Sequence, residues 1–254
     1  MRLLSWNINH RTRAKLISPA LTAGIDSLKP DVVILTEYVH SPERNGFLAD
    51  LVKAGLGHYL VSECVPGQNH VLVASRTPLA AGPIRASDEI AKLAQSVPSN
   101  TLHAQFPSLG IDVLGLRLPD YSKQPRIKRA CWEWILKIAA EAKDRPFIIL
   151  GDFNTDSNYS KSRCGDRISI LVENGWQHAQ PAEGASYWTI NGQPVRIDHA
   201  FVSRHFTIQE SRYVTEFAGT SFIGTKNDKL SDHAALVIDI DWKSSSFPND
   251  AENK

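Results

Sequence analysis

Phe147-Ile148-Ile149-Leu150-Gly151-Asp152-Phe153-Asn154 is the stretch on which the reading of this chain turns. Its first four residues form an unbroken apolar run, which predicts a short strand buried on both faces. Gly151 and Asp152 follow at once, so the strand ends on a carboxylate that a loop can present to a substrate. Ser231-Asp232-His233 is a second such place, opening the apolar run 234–238. Alone, each reads as a polar turn beside a strand. Together, two acid-bearing strand ends far apart in sequence, one carrying a histidine, point to a hydrolytic site with a metal.

Working outward, strand-like runs recur at 2–7, 32–37, 58–62, 70–75, 101–106, 111–117, 147–150, 186–190, 196–203, 207–213 and 235–242. Helical spacing marks 14–28 (Leu16, Ala20, Leu21, Leu28), 43–54, 124–143 and 166–174, the last stopped by Gly175. The clearest is 124–143, with Trp132, Ile135, Leu136, Ala139 and Ala140 on one face and Cys131 in the same apolar pattern. Many strands with a few helices between them indicate a layered α/β or α+β domain. No linker, repeat or low-complexity block divides the chain, so a single domain is expected over 1–242. The polar tail 243–254 (KSSSFPNDAENK) is expected to be disordered, and 88–100 to be a surface excursion.

The 254 residues are 42% hydrophobic and 22% charged, ordinary for a globular domain with a real core. A net charge of +1 excludes a global pull on nucleic acid, so a phosphate-rich partner needs a local basic patch. The three cysteines, Cys64, Cys131 and Cys164, are odd in number and lack ligand spacing, which argues against a disulfide framework or a zinc site. Residues 3–8 already read as the first strand rather than a secretory segment, and no apolar run reaches membrane-spanning length. A cytoplasmic monomer without a membrane partner is the expectation.

Polar residues interrupt the apolar runs in a consistent way. Asn7 ends the first run, Glu37 the second, and Arg117 lies in the run that ends at Pro119-Asp120. Asp198-His199 precedes Ala200-Phe201-Val202, and Asp152, Asn154, Asp232 and His233 complete the set. One such residue is a satisfied polar group or a turn. A whole set at strand edges needs mutual partners, because buried polar groups are costly without them.

This pattern resembles the endonuclease/exonuclease/phosphatase superfamily, which includes exonuclease III, deoxyribonuclease I and the inositol polyphosphate phosphatases. The matching segments are Ser5-Trp6-Asn7-Ile8-Asn9, residues 31–37, Gly151-Asp152-Phe153-Asn154, Arg196-Ile197-Asp198-His199 and Ser231-Asp232-His233, in the family's order across residues 3–238. The resemblance implies an α+β fold, a four-layer α/β/β/α sandwich of two mostly antiparallel sheets with helices outside. The site then lies at one end of the sandwich.

It also implies hydrolysis of a phosphate ester or phosphodiester with Mg²⁺ or Mn²⁺, which take oxygen ligands. Glu37 is the expected metal ligand, with Asn7 beside it as ligand or orienting amide and Asp232 as a further ligand. His233 contacts the scissile phosphate or transfers a proton, and Asp198 fixes its tautomer. Asp152 positions or deprotonates the attacking water, and Asn154 binds a phosphate oxygen or the nucleophile. His199 stands where the family has an aromatic or apolar residue, so it reads as structural. The bland alternatives are a solvated strand end for Glu37 and an Asx turn for Asn7.

The match departs in places. Arg117 replaces a phosphate-contacting Tyr or His; a guanidinium also grips phosphate, or else pairs with a nearby carboxylate. Asn9 stands where nucleases often have Asp. Ser186-Tyr187-Trp188 is similar to the aromatic segment of the exonuclease III branch, where Trp188 stacks on a base or sugar, or is core. The spacing from Asn154 to Asp166 leaves no room for that branch's long DNA-binding insertion. The 158–163 loop is basic with one tyrosine, and Arg126, Lys128 and Arg129 form a second basic cluster; both bind phosphates or are solvated surface. Arg117, Trp188 and Asn9 are therefore the substrate-binding candidates. The leading expectation is a metal-dependent nuclease on DNA, with RNA as a further substrate. The runner-up is a phosphatase or phosphodiesterase acting on a small phosphorylated molecule or lipid headgroup. A non-catalytic binding module is third.

Overall fold

The computed structural model describes every residue except 15–16, 41–43, 65–67, 94–96, 121–124, 218, 224–229 and 244–254. The expected tail disorder and the starts of two expected helices, at 43 and 124, lie outside the described residues. The strands are β1 (Arg2–Asn7), β2 (Val32–Tyr38), β3 (His58–Val61), β4 (His70–Ser75), β5 (Ala80–Ala81), β6 (Thr101–Phe106), β7 (Ile111–Arg117) and β8 (Phe147–Asp152). They continue with β9 (Gln177–His178), β10 (Tyr187–Trp188), β11 (Pro194–Val195), β12 (Asp198–Val202), β13 (Phe206–Val214), β14 (Glu216–Phe217), β15 (Thr220–Ser221) and β16 (Ala235–Trp242). The helices are α1 (Pro19–Ser27), α2 (Asn45–Lys53), α3 (Asp88–Leu93), α4 (Pro125–Ala142) and α5 (Asp166–Glu173).

Two six-stranded sheets form, in the orders β13-β16-β1-β2-β4-β3 and β5-β6-β7-β8-β12-β9. Each is antiparallel apart from one parallel pair, β1 with β2 and β7 with β8. The apolar runs are continuous because both faces of each sheet are covered, and the side chains sort by the two-residue period of a strand. Leu3, Ile34, Val113, Ile148, Leu150 and Ile238 point into the core between the sheets. Leu4, Trp6, Val33 and Leu35 point outward against Leu21 and Ile25 of α1 and Leu48 and Leu51 of α2. Leu114, Leu116, Phe147 and Ile149 point outward against Trp132 and Ile135 of α4 and Leu171 of α5. Three apolar layers thus separate four structural layers.

Local chemistry sets several boundaries. The helix expected from residue 14 starts at Pro19, whose fixed φ suits the first helical position, and Ser18 caps it by accepting from the Ala20 N–H at 3.3 Å. The expected strand 186–190 shrinks to the two residues of β10, paired with β11 and bridged through Tyr187 to His233. The expected surface excursion at 88–100 is a correction: α3 and the turn after it bury Ile90 and Val97 against the α4 layer. Cys131 is core, and the three cysteines are free thiols. Among the described residues no helix is long and apolar enough to cross a membrane.

Candidate active site

The period that builds the inner core also builds the site. Asn7, Arg117, Asp152 and Asp198 continue the inward-facing positions of β1, β7, β8 and β12 past the apolar core. Register then gathers them: Arg117 pairs with Asp152 across the parallel β7–β8 ladder, and Asp152 with Asp198 across β8–β12. Asn7 reaches over from the other sheet, its Nδ2 donating to Asp152 Oδ2 at 3.0 Å.

Glu37 needs a device, because strict alternation would aim it outward. The β2–β4 register shifts between Leu35 and Tyr38, and Glu37 adopts φ 55, a left-handed conformation uncommon for a side-chain-bearing residue. The extra residue restores Tyr38 to the outer apolar layer and turns Glu37 into the cleft.

Gly151 makes the loop possible. Its φ is 146, and a Cβ there would meet the Leu116 carbonyl oxygen at 1.9 Å. Beyond it, Asp152 Oδ1 accepts from the Asn154 backbone N–H at 2.9 Å, and Oδ2 from Asn154 Nδ2 at 3.0 Å. Asn154 Nδ2 also donates to the Leu118 carbonyl at 2.9 Å. Both amide hydrogens of Asn154 are thus engaged, one by Asp152 and one by the Leu118 carbonyl.

Beside Asp152, His233 Nδ1 lies 2.8 Å from Asp198 Oδ2. The carboxylate can only accept, so Nδ1 carries hydrogen and Nε2 is left for the cleft. Burial works against the His233 imidazolium, but Asp198 by charge and hydrogen bond, then Asp152 and Asp232, outweigh it and raise the group to about 9. Asp152 is also raised, chiefly by burial and next by the neighbouring Asp198 charge. Glu37 goes the other way. Burial raises it, yet hydrogen bonding from His10 and the Arg117 charge prevail and lower it to about 2.

Arg117 Nη2 and Nε sit 2.7 and 2.9 Å from Glu37 Oε1, and His10 Nε2 sits 2.9 Å from Oε2. Pairing of Arg117 with a carboxylate is therefore present, and Arg117 still lines the cleft beside Asp152, Nε to Oδ2 3.7 Å. Sequence reasoning missed His10, whose position after Asn9 carries no periodic signal.

The cleft has a volume of about 470 Å³, and Glu37, Arg117, Asp152, Asn154, Asp232 and His233 all line it. Asp198 is buried behind His233. Asn9 does not line the cleft; its backbone N–H donates to Asn7 Oδ1 at 2.9 Å, the Asx turn weighed as an alternative for Asn7. Trp188 is 39% exposed, which excludes the core reading, while its neighbours Tyr187, Thr189 and Ile190 line the cleft. Tyr159 and Arg163 form the facing rim, the guanidinium 3.6 Å above the tyrosine ring. In the other basic cluster, Lys128 is a correction: it is fully buried rather than a surface phosphate ligand. The signal was its place on the apolar stripe of α4, one turn before Trp132. His199 hydrogen-bonds His178 and the Thr155 carbonyl, away from the cleft.

The residues fit a hard divalent cation. Glu37, Asp152 and Asp232 face one cleft, and ligand atoms of Asp152, Asp198 and His233 lie within 4.8 Å of one another. Asp198 Oδ1 is buried and has no hydrogen-bond partner among the described residues. Oxygen-rich sets of this kind suit Mg²⁺-like ions.

The layered sandwich thus carries a carboxylate–imidazole site at one end of both sheets. The profile described as the Endonuclease/Exonuclease/phosphatase family matches residues 4–233, and the chain belongs to that family. Solved structures share the fold. An AP endonuclease from Archaeoglobus fulgidus superposes with a TM-score of 0.71 at 16% identity, covering 95% of this chain and 99% of its own. An endonuclease/exonuclease/phosphatase from Beutenbergia cavernae DSM 12333 gives 0.70 at 19%, covering 95% and 71%. D. rerio TDP2, complexed with single strand DNA product, gives 0.67 at 14%, covering 95% and 98%. No curated protein sequence matches the chain.

Proposed function

We propose that this chain is a divalent-metal-dependent phosphodiester hydrolase acting on nucleic acid, with DNA the favoured substrate. The observation that carries the reading is the buried Asp198–His233 pair at 2.8 Å, set beside Asp152 with ligand atoms of all three within 4.8 Å of one another. Asp198 fixes the imidazole and keeps it charged, so His233 meets the phosphate as a cation. Asp152, held by Asn7 and Asn154 and raised by burial, takes the proton of the attacking water. Arg117 adds a guanidinium at the phosphate side, and Asn154 keeps Asp152 aimed. Glu37 and Asp232 hold the Mg²⁺ or Mn²⁺, with Asn7 orienting through its amide. When bound, such an ion lowers the pKa of its water and neutralises phosphate charge.

DNA is favoured by the single strand DNA product complexed with the similar TDP2 structure and by the rim, where Trp188 offers a stacking face and Arg163 a cation. The second reading, a small phosphorylated substrate, draws on a different observation. Among the described residues two arginines line the cleft, Arg117 and Arg163, and Arg117 is paired with Glu37. Salt separates the two. Turnover of single-stranded and duplex oligonucleotides by a nuclease should fall steeply as ionic strength rises, through counterion release. Hydrolysis of bis-p-nitrophenyl phosphate with no salt-sensitive oligonucleotide cleavage would favour the small substrate.

A further inference from the structure

Helix α4 carries a lysine where its apolar stripe calls for a hydrophobe. Lys128 shares the buried face with Cys131, Trp132 and Ile135, and it is 0% exposed. Its ammonium donates to the backbone carbonyl of Asn154. One turn along, Trp132 Nε1 donates to Thr155 Oγ1 at 3.1 Å, and that hydroxyl donates to the Phe153 carbonyl at 3.0 Å. Two successive turns of α4 therefore grip the three residues that follow Asp152.

The grip falls where the chain is strained. Asn154 holds φ 49, in the left-handed region, and from that conformation it donates both its backbone N–H and its amide to Asp152. A buried ammonium is a costly way to fill space; an apolar side chain of the same length packs as well without the desolvation penalty. Burial lowers Lys128 to about 8, against the opposing pull of Cys164, Asp152 and Asp120. Its charge also interacts with that of Asp152.

We infer that Lys128 is a positioning residue of the active site, fixing through the Asn154 carbonyl the left-handed turn that aims Asn154 at Asp152. The inference rests on the proposed role of Asp152. Lys128 touches neither substrate nor reacting atoms, so its effect falls on kcat rather than on substrate binding.

The test compares Lys128→Met, which keeps the length and loses the donor, with Lys128→Gln, which keeps a donor and loses the charge. Steady-state kinetics are run on the phosphodiester that the wild type cleaves best, with backbone and side-chain amide resonances of Asn154 followed by NMR. Lys128→Met should lower kcat roughly 10–100-fold, the range for residues that orient a reacting group from behind, with KM unchanged within about twofold. Lys128→Gln should recover most of that loss. A folded Lys128→Met with wild-type kcat overturns the inference, as does Lys128→Gln no better than Lys128→Met. Should Lys128→Met fail to fold, Lys128→Gln decides alone: near-wild-type kcat and Asn154 resonances support the inference, and a loss of kcat with those resonances unmoved contradicts it. Should the wild type cleave no phosphodiester, the functional proposal fails. The resonances then still decide Lys128: movement in Lys128→Met supports the grip, and no movement refutes it.

Discussion

His233 is 6% exposed yet holds a raised pKa, because Asp198, 1% exposed, sits 2.8 Å from its Nδ1. The folded value of about 9 lies above the ordinary 6.5. The pairing therefore stabilises the fold fully below pH 6.5, and that contribution is lost as pH rises through about 9. In the proposed mechanism the same proton matters to activity, so kcat/KM should decline above about pH 9. Asp198→Asn keeps the shape and removes the charge. It should move the alkaline limb of the pH–rate profile to lower pH and reduce turnover by roughly 10²-fold or more. An unmoved alkaline limb would mean that another group sets it. Asp152→Ala should abolish turnover, by about 10²–10⁴-fold, while circular dichroism and melting stay near wild type. Near-normal activity would remove Asp152 from its proposed role.

At the scale of elements, β8 and the loop after it depend on Gly151. A methyl group there meets the Leu116 carbonyl oxygen at 1.9 Å, on a backbone at φ 146. Gly151→Ala should destabilise the protein by at least about 1–3 kcal/mol, the range for a strained backbone position, and lower activity with it. Chemical denaturation measures the first, and an unchanged midpoint would show that the β7–β8 edge yields freely. The outer face of β12 carries a second sensitive feature, the relay from His178 Nε2 to His199 Nδ1 (3.0 Å) and from His199 Nε2 to the Thr155 carbonyl (2.7 Å). The carbonyl only accepts, so His199 Nε2 carries hydrogen, and the two rings cannot both be protonated without setting two N–H donors face to face. Burial lowers both groups, His178 to about 3. A depressed histidine contributes stability that is full above pH 6.5 and is lost as pH falls towards 3. His178→Gln, whose amide can still donate, should flatten the loss of stability between pH 6.5 and 4. A slope equal to wild type would assign the acid sensitivity elsewhere.

For the whole molecule, strands covered on both faces were legible because Leu3-Leu4, Val32-Val33-Ile34-Leu35 and Ile148-Ile149-Leu150 are apolar at consecutive positions. Their arrangement as a four-layer sandwich of two sheets came only through resemblance, and the order of strands within each sheet came from neither. The strand-end residues Asn7, Arg117, Asp152 and Asp198 stood out because they occupy inward positions that the period reserves for hydrophobes. Glu37 stood out as the polar end of an apolar run, but the bulge that turns it inward leaves no trace in periodicity. His10 and the two-residue strands β5, β9, β14 and β15 were invisible for lack of any repeating pattern. Lys128 was legible and misread: its basic neighbours Arg126 and Arg129 drew attention to charge, when its helical phase placed it inside.

The central claim is that the Asp198–His233 pair and Asp152 hydrolyse phosphodiesters with a divalent ion, and nicking of supercoiled plasmid tests it most directly. Purified wild type is incubated with Mg²⁺ or Mn²⁺ beside an EDTA control and folded His233→Ala. The account predicts open-circular product that needs the metal and disappears in the variant. Nicking by His233→Ala at the wild-type rate, or nicking that survives EDTA, would contradict it.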